Sequence, residues 1–290
     1  MANVTSTTAD KFIDDVWSAE LNRAIEFKLV IASLFSDWSS RMTGHGDIFH
    51  LPARHNLTAN TKSAGSDATP EAITETEQTF TVSTHQIVAQ EIEDFVEVMS
   101  KYDTRAEFTK AAAYSLGRAE DVAAAALLDD NTAQSVGVLS AELTDDNFIK
   151  AWELLQDSSA DAPFKGVISP AGWGGLLKIE KFTQQLYTGD TMGKAIHEAQ
   201  IGKVYQAQMY ATPLTVGTAP NSSGHLWAGD HFFKIIKRAP KQDTWYSPLA
   251  KAWVLATDQI YGVFERQEAD EAAAATSVAR LHGVRLQNLK

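Results

Sequence analysis

The chain contains no cysteine. That absence removes disulfide scaffolds, thiol nucleophiles and thiolate metal sites together, and leaves packing or assembly as the source of stability. Long apolar runs are missing too. The N-terminus, MANVTSTTADKF, has no apolar stretch behind a basic one, and no run approaches the roughly 20 residues that span a bilayer. A soluble protein of a reducing compartment, with no membrane partner, is therefore expected, and the N-x-S/T matches at Asn3, Asn56 and Asn221 are read as chance. Basic charge is scarce: 25 Lys+Arg stand against 37 Asp+Glu, a formal net charge of −12. This opposes tight binding to a nucleic-acid backbone, because Lys and Arg are the groups that displace condensed counterions.

The common chemical signatures are absent as well. GDTMGKA, residues 189–195, has one residue too few between its glycines for a phosphate loop and no Ser or Thr after Lys194 to hold magnesium. AGWGGLL, residues 171–177, lacks dinucleotide-loop spacing. His45, His50 and His55 are evenly spaced, but that interval alternates faces along a strand, and no H-E-x-x-H or acidic third ligand accompanies them. Solvated or hydrogen-bonded histidines are the better reading. No G-x-S-x-G elbow occurs. The adjacent pairs His197–Glu198 and Asp230–His231 point to opposite faces of a strand, so neither is a ready-made dyad. Asp129–Asp130, Asp145–Asp146 and Glu268/Asp270/Glu271 fall at expected helix ends, where carboxylates cap amides or complement helix dipoles. No catalytic, cofactor-binding or metal-binding residue is assigned, and the chain is not expected to be an enzyme. A soluble hydrolase with a site assembled from distant residues stands as the alternative from a different class.

What the chain does contain is enough apolar residue for a solid core. It has 290 residues, 44% hydrophobic and 21% charged, room for two lobes or for one domain with long excursions. Phe12/Val16 and Leu21/Ile25/Leu29 keep the spacing of one helix face behind a cap-rich start, so the N-terminal region is expected to be helical. GDIFHLP opens a strand that Pro52 assigns to an edge, residues 58–72 are turn chemistry, and ITETEQTFTV then alternates with period 2. Thr76, Gln78, Phe80, Val82 and Thr84 share one face, and the opposite face is polar. This predicts a long two-stranded hairpin with little apolar surface of its own, which needs something to lie on.

Thr104-Arg105-Ala106-Glu107 reads as a capping box, followed by Phe108, Ala112, Ser115, Ala119, Val122 and Ala126 at helical spacing up to Asp129. The pattern predicts one long helix laying a small-residue face against a sheet. LTDDNFIKAWELLQD is a further capped helix, and FKGVISPAGWGGLLK a buried strand, a turn and a helix start. IGKVYQAQMYATPL and HLWAGDHFFKIIKR read as strands, and KAWVLATDQIYGVFERQEA as a long strand or strand pair with a bulge at Gly262. An Ala-rich helix and a basic tail are expected to close the chain. The class is α+β without regular βαβ alternation.

The order of these pieces resembles that of tailed-bacteriophage major capsid proteins. FIDDVWSAELNRAIEFKLVIASLFSDWS, residues 12–40, is similar to their opening, and GDIFHLP with ITETEQTFTV to the strands of their extended loop. AAAYSLGRAEDVAAAALL resembles their spine helix, IGKVYQAQMYATPL a central strand, and ATDQIYGVFERQEA the closing strands. The resemblance covers nearly the whole chain. It implies the Hong Kong 97-type capsid fold, with an N-terminal arm at 1–40, an extended loop at 41–87, a peripheral domain with the spine helix at 88–138, an axial domain at 139–227 and a return through both domains at 228–290.

The same resemblance implies a structural role. The subunit is expected to self-assemble into pentamers and hexamers of an icosahedral head shell, its extended loop lying across a neighbour and supplying what the hairpin lacks. Contact residues expected on that basis are Phe12, Trp17, Leu57, Lys62, Glu75, Glu77 and Phe80. Other expected partners are a separate scaffolding protein, a portal, a decoration protein, and packaged double-stranded DNA held by weak non-specific contact. Met1 lies close before the arm helix, so no fused scaffolding segment is expected. Lys62, near the loop tip, is the one lysine placed for the Lys–Asn cross-link of some members, although a tip lysine is more often solubilising. An encapsulin-type compartment enclosing a protein cargo is the alternative within the fold.

Overall fold

A computed structural model of the chain describes residues 29–53, 59–67, 70, 76–100, 103–130, 134–138, 141–158, 160, 162–179, 181, 203–214, 221–266 and 283–289. Most of the expected N-terminal helical region, the loop at 189–195, His55, His197–Glu198 and the Ala-rich stretch after Glu265 lie outside them. Within them the chain is α+β. The elements begin with α1 (Ile31–Leu34) and β1 (Ser36–Asp37), and continue through the pair β2 (Ile48–Ala53) and β3 (Thr76–Thr81), then β4 (Thr84–Glu93) and α2 (Asp94–Met99). The long α3 (Thr104–Asp130) leads to β5 (Ser135–Gly137), α4 (Asp145–Asp157), β6 (Phe164–Ile168) and α5 (Pro170–Leu177). Strands β7 (Lys203–Val204), β8 (Ala207–Ala211), β9 (Asn221–Ala228), β10 (Phe232–Ser247), β11 (Ala252–Glu265) and β12 (Gly283–Leu289) complete the chain.

Two sheets and a separate hairpin organise these strands. One sheet has the order β5-β12-β9-β6-β8-β7, the other β1-β10-β11-β4, and β2 pairs with β3 alone. The six-stranded sheet holds the larger core, in which Phe148, Ala151 and Leu155 of α4 meet Phe164, Ile168, Leu176, Leu226, Val284 and Leu286. These positions alternate along the strands and recur at three and four residues on α4, so one face of each element is removed from water. Ser169 starts α5 by accepting a hydrogen bond from Gly172 N at 3.1 Å, with Pro170 in the first turn, where its missing N–H is no loss.

The four-stranded sheet is a long antiparallel ribbon. β10 and β11 pair from Phe232↔Glu265 to Ser247↔Ala252, and β4 adds to β11 from Tyr261↔Thr84 to Ala252↔Glu93. At about 1.5 Å per residue, the 27-residue α3 is roughly 40 Å long and lies along this ribbon.

Several elements differ from the sequence reading. The amide of Ala106 is capped by the Asp103 carboxylate at 3.1 Å rather than by Thr104, which is already the first helical residue. The face buried on α3 is Leu116, Asp121, Ala124, Ala125 and Leu128, while Phe108, Ser115, Val122 and Ala126 of the small-residue stripe stay exposed. The reason is that the helix has two neighbours. Its early turns face β11, where Gln259 donates to Leu116 O at 3.2 Å, and its late turns face α1 and Trp227. No single stripe serves both.

The irregularities of the ribbon fall on β10, on either side of Arg238, and Gly262 keeps regular register with Ile235. IGKVYQAQMYATPL is broken by a turn in which Tyr205 and Gln206 take positive φ, 45° and 67°. HLWAGDHFFKIIKR is likewise two strands, β9 and β10, in different sheets. The basic tail contains β12, a strand seated between β5 and β9; its buried Val284 and Leu286 alternate with Arg285 and Gln287. Asp129 does not complement the α3 dipole, being at the wrong end, and instead holds Arg285 at 2.7 Å.

Candidate assembly surface

The base of the hairpin is fixed within the subunit. β2 and β3 run in register from Ile48↔Thr81 to Ala53↔Thr76. Phe49 and Phe80 sit opposite one another, and Phe80 meets Phe233 edge-on at 4.9 Å while Trp38 stacks on Phe233 at 4.0 Å. Val82 and Ile235 complete that small core. Phe80 is thus buried in its own chain: the apolar face of the period-2 pattern turns inward, and the ring holds the hairpin to the ribbon rather than facing a neighbour.

Toward its tip the described residues of the hairpin are exposed. His50 and Glu77 make an exposed pair across the strands at 3.2 Å, and residues 59–67, Lys62 among them, are solvent-exposed throughout. Phe12, Trp17, Leu57 and Glu75 lie outside the described residues.

The second exposed region is the ribbon face turned away from α3. On it Ile87 is 61% exposed and Trp245, in register with Val254, is 50% exposed. Charges lie between these apolar groups. Asp258 accepts from His85 Nε2 and from Arg238, each at 2.9 Å, binding all three long strands, and Lys241 pairs with Asp243 at 2.8 Å. Its Lys241 and Arg238 neighbours hold the exposed Asp243 carboxyl below the usual range, the Lys241 hydrogen bond contributing most. At the far end α2 adds Phe95, Val98 and Met99, with Val98 82% exposed, and Leu249 in the β10–β11 turn is wholly exposed. Tyr246 ties this end together by donating to Asp94 Oδ2 at 2.7 Å, while Arg105 lies 4.6 Å over the Trp253 ring. Exposed apolar groups concentrated on one face and one tip mark a surface that another body covers. Sequence pattern does not single these residues out, because apolar residues in a period-2 strand look the same whether the sheet face is covered or bare.

Between α3 and the ribbon lies a cavity of about 240 Å³, lined by Phe108, Ala112, Ser115, Val88, Leu255 and Thr257. It contains no titratable side chain. Of the hydrolase candidates, Asp230 accepts from Ser36 Oγ at 2.6 Å while His231 Nε2 meets Glu265 at 2.8 Å, so the two go to different partners. Among the described residues no group of three His, Asp or Glu side chains is placed to hold a metal ion. Asp145, at the start of α4, receives Lys181 Nζ and Tyr205 Oη, each at 2.5 Å. Burial opposes its ionisation, but the two hydrogen bonds outweigh it and keep the carboxyl below its ordinary value, whereas burial and Asp145 together push Tyr205 up to about 12.

The class these surfaces define is an α+β fold with a projecting hairpin and a long helix on a ribbon whose other face is bare. Solved structures repeat that fold over nearly the whole chain. A chain from Mycobacterium phage Che8 superposes with TM-score 0.78 at 17% identity, covering 95% of this chain and 97% of its own. A chain from the capsid structure of the cyanophage P-SCSP1u gives 0.77 at 13% identity, over 97% and 94%. One from the mature capsid of bacteriophage PhiM1 gives 0.72 at 12% identity, over 95% and 92%. No family model and no curated protein matches the chain. The fold is therefore the one found in phage capsid chains.

Proposed function

We propose that the chain is the major capsid subunit of a tailed bacteriophage, assembling through pentamers and hexamers into an icosahedral head shell around double-stranded DNA. The observation that carries this reading is the match in fold, over 97% and 95% of the chain, to chains taken from phage capsids. The bare ribbon face and the exposed hairpin tip support it independently, since both are stabilised only when further copies associate. Its working place is the virion, and its role is structural rather than catalytic.

In this proposal the chain divides into an arm at 1–40, an extended loop at 41–87, a peripheral domain at 88–138, an axial domain at 139–227 and a return at 228–290. The outer part of the hairpin, with Leu57, Lys62, Glu75 and Glu77, lies across a neighbouring subunit, and the arm contributes Phe12 and Trp17. Phe80 serves indirectly, by setting the direction in which the hairpin leaves the body. A scaffolding protein, a portal and a decoration protein are further proposed partners. Contact with DNA is weak and non-specific, consistent with a net charge of −12.

The test is to express the full chain, measure mass by size exclusion with light scattering, and image the void fraction by negative-stain electron microscopy. Five- and six-fold rings or closed shells are expected. Co-purified DNA assigns the shell to a virus, and a co-enclosed enzyme assigns it to a cargo compartment. A monomer whose residues 46–83 resist proteolysis overturns the shell reading.

A further inference from the structure

The segment from Val30 to Trp38 touches α3, both sheets and the hairpin. At its start, Asp121, a fully buried carboxylate in the middle of α3, accepts from Val30 N through Oδ2 at 3.2 Å and from Ala32 N through Oδ1 at 2.7 Å. These are the orphan amides at the first turn of α1, and no side chain of α1 itself caps them. In its middle, Lys165 of β6 donates to Leu34 O at 2.6 Å, and Phe35 packs against Trp227 and Phe232. Further on, Ser36 Oγ is hydrogen-bonded to Gly229 O at 2.9 Å, and β1 pairs in parallel with β10. At its end, Trp38 N donates to Lys234 O at 2.9 Å, while the Trp38 ring stacks on Phe233 and meets Phe49 of the hairpin at 6.3 Å.

We infer that Val30–Trp38 is a strap coupling α3 to the hairpin, with Asp121 as its seat and the Trp38 ring as its working end. The geometry carries the inference in three steps. The carboxylate uses both oxygens on one short stretch of backbone, so the strap has one seated position and no neighbouring one in which both amides are satisfied. The stretch between the seat and Trp38 is mostly buried and hydrogen-bonded to α3, the six-stranded sheet and β10 in turn, so the seat and Trp38 are joined by one continuously anchored stretch. Trp38 then lies in the same aromatic cluster as Phe49 and Phe80, where a shift of one ring displaces the others, because packed cores have discrete arrangements. A change at the Asp121 seat therefore acts on the direction of the hairpin. Asp121 is a positioning residue in this device, and its two carboxylate oxygens accept from the subunit's own backbone.

The biological use of such a coupling rests on the shell reading, in which arm and hairpin each meet neighbours, but its test does not require assembly. Hydrogen exchange is followed by mass spectrometry on the full chain for Asp121→Asn, Trp38→Leu and the double variant. Asp121→Asn is expected to speed exchange in residues 30–38 and also in 76–82, by about tenfold or more. Trp38→Leu is expected to speed exchange in 76–82 while leaving 30–34 protected. In the double variant the hairpin exchanges no faster than with Trp38→Leu alone, because the connection is already cut. Lys165→Met, which removes the cation on Leu34 O without touching the seat, is expected to give the Asp121→Asn pattern at about threefold, and it decides the matter if Asp121→Asn does not fold. Loosening of 30–38 with an unchanged hairpin, or simple additivity in the double variant, overturns the strap. Either result leaves the shell reading standing, and a failure to assemble leaves the strap standing.

Discussion

The two sheets of this molecule answer the problem of exposed backbone in opposite ways. The six-stranded sheet ends in β5 and β7, of 3 and 2 residues, and covers the core built on α4 and α5. Short edges of that kind offer little template for pairing with another chain. The four-stranded ribbon ends in β4, 10 residues long, and leaves Ile87 and Trp245 bare on the face away from α3. One half is finished within the subunit, and the other is shaped to be finished by something else. The lesson is that burial has to be read sheet by sheet, since an average over the chain hides where the unsatisfied surface lies.

The contrast can be broken or sharpened by substitution. The largest effect is expected in the finished half, where Phe148→Ala empties a fully buried site between α4 and the sheet. A loss of about 3–5 kcal/mol in urea unfolding is expected, the range for deleting a buried phenyl ring. Next is acid. His225 on β9 is buried, and burial first, then the nearby Arg285 charge, lowers its pKa to about 3. In the unfolded chain the imidazole has its ordinary value near 6.5 and takes up a proton below it, while the folded one does not until about 3. Stability is therefore complete above about pH 6.5 and falls as pH drops toward 3, by about 2 kcal/mol between pH 7 and pH 5. His225→Leu should flatten that part of the pH profile measured by thermal unfolding; an unchanged slope would assign the acid sensitivity elsewhere.

Smaller still is the cap of α5. Ser169→Ala removes the hydrogen bond to Gly172 N and is expected to lower stability by about 1 kcal/mol, read from the denaturation midpoint. The smallest effect on folding is expected on the ribbon. Trp245→Ser should change monomer stability by no more than about 0.5 kcal/mol, because the indole is half exposed at the surface. Its effect should appear in association instead, as a severalfold fall in the assembled fraction by light scattering. A destabilised monomer with unchanged association would erase the contrast between the halves.

Some of this is legible in the amino-acid order alone. Period-2 alternation in TETEQTFTV and the Pro52 signal locate the hairpin, whereas PAGWGG, whose Pro and glycines read as a turn, is instead the first part of α5 behind the Ser169 cap. Other elements are hidden by their neighbours. β12 has the look of a basic tail because its apolar Val284, Leu286 and Leu289 are interleaved with polar residues, and Arg285 counts as surface until Asp129 is found beside it. Phe80 passes for a contact with another subunit because an exposed hairpin and one folded back on Trp38 and Phe233 share the same alternation. Asp121 gives no signal at all, since an acidic residue in a long helix is ordinarily solvated, and nothing local says that the amides of Val30 and Ala32 will reach it.

Local chemistry determines what a short window of sequence can decide: where helices start, which stretches alternate, and that the chain carries no cysteine and a surplus of carboxylates. Those properties depend on a residue and its near neighbours. Which face of α3 is buried, where Asp121 sends its two oxygens, and which side of the ribbon is left bare are decided only in the tertiary structure. Each of these depends on contacts between residues as far apart as Val30 and Asp121, or Ile87 and Asp258, and the free energy of such a contact exists only once the segments between them have folded.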